Sequence, residues 1–148
     1  MSPKSPIGYI DMRVFVHATE DTEKVLLSAY NTLPFELKEA VKFKETRLTG
    51  YYKNPIILYQ TRLTDKQTFI PILNYLSSNL NSLEKEDLTN NIKIHLEKGN
   101  LYLRFDKQLS YTNTLKFSKK DPIHFKIHFK HKTSKEIIDL CKELGLLL

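Results

Sequence analysis

The sequence predicts an α+β fold: one domain, with a mostly antiparallel sheet of about five to six strands and helices packed on one face. Three observations predict it. Residues 8–18 and 122–130 alternate apolar and polar side chains with the period of two of a half-buried strand. Between them lie stretches with apolar residues at helical spacing, opened by capping residues. The order β-α-β-β-α-α-β-β-β-α is not the strict strand–helix alternation of a parallel sheet. At 148 residues the chain can bury a real core, and 41% hydrophobic with 27% charged residues is ordinary for a globular protein.

Residues 1–7 contain Pro3 and Pro6 and little to bury, so they read as a flexible leader to the domain at 8–148. In 8–18, Ile10, Met12, Val14 and Val16 share one face, and Tyr9, Asp11, Arg13, Phe15 and His17 the other. Thr19 is a candidate N-cap, with Glu20, Asp21 and Glu23 favoured by the dipole of the helix it would open. Val25, Leu26, Ala29 and Leu33 repeat at helical spacing up to Pro34. Val41–Leu48 alternates Val41 and Phe43 against Lys42 and Lys44 and reads as a second strand. Gly50 and Asn54-Pro55 mark a turn, and Ile56–Leu63 reads as a third strand, apolar on both faces at its start and so central.

Asp65 caps a second helix, which Pro71 should kink. A third helix, Leu83–Lys98 capped by Ser82, ends at Gly99 as a left-handed C-cap. Leu101–Asp106 is a fourth strand, Lys107–Tyr111 one helical turn, and Thr114–Phe117 a short strand. Pro122–Lys130 is the basic strand: Ile123, Phe125, Ile127 and Phe129 alternate with His124, Lys126, His128 and Lys130. Ser134–Leu148 is a final helix, with Ile137, Ile138, Cys141 and Leu144 buried.

Charge is concentrated. Between Asn100 and Lys132 stand Arg104, Lys107, Lys116, Lys119, Lys120, Lys126, Lys130 and Lys132 against only Asp106 and Asp121. That segment carries +6, the net charge of the whole chain. A basic strand face invites an anionic partner, RNA first; the bland alternative is a solvated face that protects a sheet edge.

Other chemistry is missing from the sequence. The four glycines are isolated, so no phosphate loop is present. His124 and His128 lie about 13 Å apart along a strand, whereas metal ligands sit at about 2 Å. No metal or cofactor is expected, and no pair of carboxylates declares an acid–base site. A single cysteine, Cys141, fits a reducing cytoplasm. No apolar run approaches the roughly 20 residues of a membrane helix.

Three stretches carry a resemblance: FVHATEDTEKV at 15–25, LTGYYKNPI at 48–56 and LYLRFDKQLSY at 101–111. Together they resemble an archaeal family of small proteins described as predicted RNA-binding, exosome-associated subunits. The resemblance runs from Ile10 to about Phe129. It implies a fold like that of the ribosomal protein that binds five-S RNA, and a role in RNA processing or turnover. It implies no catalytic residue.

The family's blocks fall on His17 to Asp21, on Gly50, Asn54 and Pro55, and on Leu103, Arg104, Asp106, Lys107 and Gln108. Taken together, the blocks and the charged strand faces give an expected RNA-contact set: Arg104, Lys107, Gln108, Lys126, Lys130, His124, His128, Tyr51, Tyr52, Lys53 and Arg13. Lys and Arg would neutralise phosphate, and tyrosines and histidines would stack on or bond to bases. The expected function is a non-enzymatic accessory factor in RNA processing or exosome-linked turnover, cytoplasmic, with RNA and exosome or ribonucleoprotein components as partners. Two alternatives compete. One is a protein-interaction subunit or homodimer without RNA contact. The other is a hydrolase with Asp106, Glu20 and Asp21 around magnesium.

Overall fold

A computed structural model describes residues 6–148, apart from the side chain of Tyr51. Residues 1–5 of the expected leader lie outside the described residues. Six antiparallel strands form one open sheet in the order β2-β3-β1-β6-β5-β4. They are β1 (Ile7–Val16), β2 (Lys44–Thr49), β3 (Pro55–Leu63), β4 (Leu96–Glu97), β5 (Asn100–Phe105) and β6 (Ile123–Phe129). The helices are α1 (Thr22–Tyr30), α2 (Lys66–Asn79), α3 (Ser82–Asn90), α4 (Ile92–His95), α5 (Lys107–Tyr111) and α6 (Ser134–Glu143).

Alternation sets the layers. Ile10, Met12, Val14 and Val16 of β1, Leu101, Leu103 and Phe105 of β5, and Ile123, Phe125, Ile127 and Phe129 of β6 are all buried. They share one core with Val25 and Ala29 of α1, Phe69, Ile72, Leu73 and Leu76 of α2, and Ile137 and Cys141 of α6. Among the described residues, no helix packs on the opposite sheet face.

Ile7, placed in the leader by the sequence, is instead the first residue of β1 and is 1% exposed. A bulge between Ile7 and Tyr9 explains it: Gly8 absorbs one residue, so Ile7 pairs with Phe129 inward while Tyr9 pairs with His128 outward. A Cβ on Gly8 would stand 2.9 Å from the His128 ring, so a side chain here would push into it.

Several boundaries differ from the sequence expectation. The cap of α1 is Asp21, not Thr19: its carboxylate accepts from the N–H groups of Glu23 and Lys24. β2 starts at Lys44, where its pairing with β3 begins, and the carbonyl of Val41 accepts instead from the hydroxyl of Tyr30. α2 runs unbroken through Pro71, held by its buried stripe, with Asp65 capping it as expected.

The expected long third helix is two. Asn81, not Ser82, caps α3, and the chain breaks at Asn91, whose side-chain amide bonds back to Asp87. The chain then enters β4. Gly99 has the expected positive φ of 81°, but with Lys98 it turns the β4–β5 hairpin rather than ending a helix. Residues 114–117 form no strand, only a bridge from Phe117 to Phe105. α6 stops at Glu143, and Gly145 (φ 82°) turns the chain so that Leu146 and Leu147 are buried.

Candidate nucleic-acid interface

The uncovered sheet face carries the polar half of every alternating strand. Paired residues share a face, so the register writes its rows directly. Arg104 of β5 pairs with His124 of β6, which pairs with Arg13 of β1, then Gln60 of β3, then Lys44 of β2. The next row runs from Tyr102 through Lys126 and Asp11 to Arg62. The third holds Asn100, His128 and Tyr9.

The first two rows floor a hollow of about 710 Å³. It is lined by five cations, Arg13, Lys42, Lys44, Arg62 and Lys126, and one carboxylate, Asp11. That carboxylate is already committed: the Arg62 guanidinium donates to both its oxygens, at 2.7 and 2.9 Å. Arg62 also lies 4.0 Å over the Tyr9 ring, and His128 stacks on Tyr9 at 4.8 Å. Tyr9 is thus a post that fixes Arg62 on the floor. Arg13, Arg104, Lys42 and Lys44 are exposed and have no carboxylate within ion-pair distance among the described residues.

The expected contact residues divide into three groups. Arg13, Arg104, His124, Lys126 and His128 share the open face, and Lys130 continues their strand just past β6, exposed. Tyr52 and Lys53 sit at the β2–β3 hairpin tip with φ of 57° and 61°. Tyr52 is 95% exposed there. From Gln60 to Pro55 is five residues, roughly 17 Å along the strand, so the tip stands apart from the cationic rows. Gln108 is exposed on α5 beside a smaller hollow of about 260 Å³ that it shares with Lys24 and Tyr111.

Lys107 is where the structure departs most from the expected phosphate contact. It is 7% exposed. Its ammonium donates to the Phe15 carbonyl at 2.8 Å, to Glu20 at 3.0 Å and to Asp121 at 2.6 Å. Asp121 also meets His17 Nε2 at 3.0 Å, and Glu20 accepts from the His17 backbone N–H at 2.9 Å. His17, Glu20 and Asp121 offer three ligand atoms within 4.8 Å of one another, but the lysine ammonium already supplies the positive charge among them.

The acids of the hydrolase alternative are spent separately. Asp21 caps α1, Asp106 caps α5 through the N–H of Leu109, and Glu20 holds Lys107.

Burial first, then the guanidinium groups of Arg13 and Arg104, push the His124 imidazole down from its ordinary 6.5 to about 4; Asp121 opposes them weakly. His124 is therefore neutral on the open face near pH 7. The sign for stability follows. Above pH 6.5 both folded and unfolded His124 are neutral, and nothing is lost. As pH falls from 6.5 towards 4 the unfolded chain takes a proton that the folded chain refuses, so stability drops. His124→Gln is expected to flatten that acid loss, read as urea midpoints at pH 7 and 4.5. An unchanged loss in the variant would take His124 out of the acid response.

Sequence reading put Tyr9 on the face that carries Arg13 but missed Lys42, Lys44, Gln60 and Arg62 as site residues. The alternation of Lys42 and Lys44 was visible, but only the strand order shows that β2 and β3 extend the same face as β6.

A family model described as RNA binding matches residues 9–129. The chain is 32% identical over 133 residues to the RNA-binding protein PAB1135 of Pyrococcus abyssi, covering 88% of this chain and 86% of that one. It is 30% identical over 154 residues to an uncharacterized protein, MJ0213, of Methanocaldococcus jannaschii, covering 94% of this chain and 99% of that one. Among solved structures it is similar in fold to protein AF2318 from Archaeglobus fulgidus, with a TM-score of 0.78 at 23% identity over 93% of this chain and 99% of that one. It is also similar to protein SSO0741 from Sulfolobus solfataricus, with a TM-score of 0.74 at 27% identity over 93% and 96%. Both are structures of the family model DUF54.

Proposed function

The chain belongs to the RNA-binding family, and from that premise we propose that it binds RNA on the open face of its sheet, without catalysing a reaction. One observation carries the reading: an uncovered hollow lined by five cations and a single carboxylate that Arg62 already holds. In such a hollow phosphate replaces water and counterions at little desolvation cost to the protein, since all of the cations but the half-buried Lys126 are exposed. The absorbance of the purified protein tests this cheaply. With no tryptophan in the chain, bound RNA stands out in the ratio of absorbance at 260 and 280 nm. Titration of labelled RNA then gives the affinity, and failure to bind any RNA at low salt sinks the reading.

The hairpin tip is proposed as a second contact that stacks bases, through Tyr52 and, with it, Tyr51 and Lys53. An almost fully exposed tyrosine held at positive φ is displayed rather than packed. Tyr52→Ala is expected to cost about 1–3 kcal/mol of RNA affinity while leaving the salt dependence unchanged. A changed salt slope with that substitution would mean that the tip steers charge and does not stack.

At the cellular level the proposal is an accessory factor in cytoplasmic RNA processing or exosome-linked RNA turnover. Its support is the resemblance of the three sequence blocks, and a kinship in fold with the five-S-RNA-binding ribosomal protein rests on the same ground. Pull-down with and without nuclease tests the exosome link: association that survives nuclease supports a direct contact, and association that nuclease removes means that RNA alone bridges them. The protein-interaction reading has one specific support. β2 is an edge strand of the sheet, able to pair with a second copy. Light scattering that gives a monomer at working concentration argues against it.

A further inference from the structure

Taking the open face as the RNA-binding face, we infer that a single RNA strand crosses the sheet at right angles to its strands, along the row Arg104, His124, Arg13, Gln60 and Lys44. The register carries this inference. The five residues come from five adjacent strands, each paired directly with the next. Four strand spacings of about 4.8 Å make the row roughly 19 Å long. Cationic and neutral groups alternate along it.

The chemistry matches a polynucleotide backbone. Arg104, Arg13 and Lys44 stand at every second strand, about 10 Å apart at the backbone, and their long side chains adjust that gap to successive phosphates. Between them stand His124 and Gln60. Gln60 both donates and accepts, and the neutral His124 imidazole does the same through its two nitrogens. That is the pairing a ribose 2′-hydroxyl or a base edge needs. The three cations of this row, Arg104, Arg13 and Lys44, lie in one line, which suits one strand; a duplex presents two phosphate lines at once.

The competing path follows β6 along His124, Lys126, His128 and Lys130. Its members are more engaged. The Lys126 ammonium lies 5.5 Å over the Tyr9 ring. His128 is stacked on Tyr9 and hydrogen-bonded through Nδ1 to Asn100 at 2.8 Å. Only Lys130 of the four is fully exposed.

Fluorescence anisotropy with a short labelled single-stranded RNA decides between the paths. Arg13→Gln with Arg104→Gln is expected to weaken binding at least about tenfold and to make the slope of log affinity against log salt shallower by about 1.4, or 0.7 per lost contact. Lys126→Gln with Lys130→Gln should weaken binding by less than about threefold. Lys44→Gln alone, at the exposed edge strand, should make the slope shallower by about 0.7; it serves if the arginine pair disturbs folding by circular dichroism.

Equal losses from the two pairs, or a larger loss from the β6 pair, overturn the cross-strand path but leave RNA binding on this face standing. A duplex of the same sequence that binds as tightly as the single strand overturns the assignment to single strands. A wild-type protein that binds neither RNA fails the underlying reading, and the path falls with it.

Discussion

Lys107→Met is expected to lower unfolding stability by about 3 kcal/mol and to leave the RNA affinity of the folded protein unchanged. The methionine keeps the packing of the aliphatic stem but removes the ammonium. That strands the Phe15 carbonyl and the carboxylates of Glu20 and Asp121, all of which now accept from it. Breaking a buried pair by deleting one partner costs about 3–5 kcal/mol. The lower end applies because the side chains of Glu20 and Asp121 are 29% and 40% exposed and rehydrate.

The effect also reaches beyond one contact. The ammonium ties the end of β1 to the start of α5 and to the turn before β6, so its loss loosens three segments together. Urea denaturation of the variant measures it. An unchanged midpoint accompanied by lost RNA affinity would return Lys107 to the role that its sequence block suggested, a phosphate contact.

RNA affinity is expected to fall about 60- to 250-fold between 50 and 200 mM salt, from a slope of roughly −3 to −4. The figure follows from four to six phosphates, each releasing about 0.7 counterion from a single strand. The structure offers enough free cations for that number: Arg13, Arg104, Lys42 and Lys44 are exposed, and Lys126, Lys130 and the Asp11-bound Arg62 flank them. Arg62 should contribute least, because Asp11 already neutralises it. The measurement is an affinity series across salt at one pH. A slope near zero would remove the RNA-binding proposal, since cations that engage phosphate must displace its counterions.

The sequence by itself determined what neighbours within a few residues decide. Alternation put Ile10, Met12, Val14 and Val16, and Ile123 to Phe129, on the core side, because side-chain direction in a strand depends only on parity. Asp65 stands at a helix start for an equally local reason, the N–H group two residues ahead. Local patterns failed where a competing contact came from elsewhere. The helix predicted through Lys98 broke at Asn91 and gave way to β4, which exists only because β5 pairs with it. Ile7 joined the core only because a bulge opposite His128 changed its phase. The fate of Lys107 was set by groups 92, 87 and 14 residues away, and no pattern around Asp106 and Gln108 encodes them. The candidate site shows the same division. Each strand carried its polar residues legibly, but Arg13, His124, Arg104, Gln60 and Lys44 become one row only through strand order and register, and those are fixed by which hydrophobic faces pack together across the whole chain.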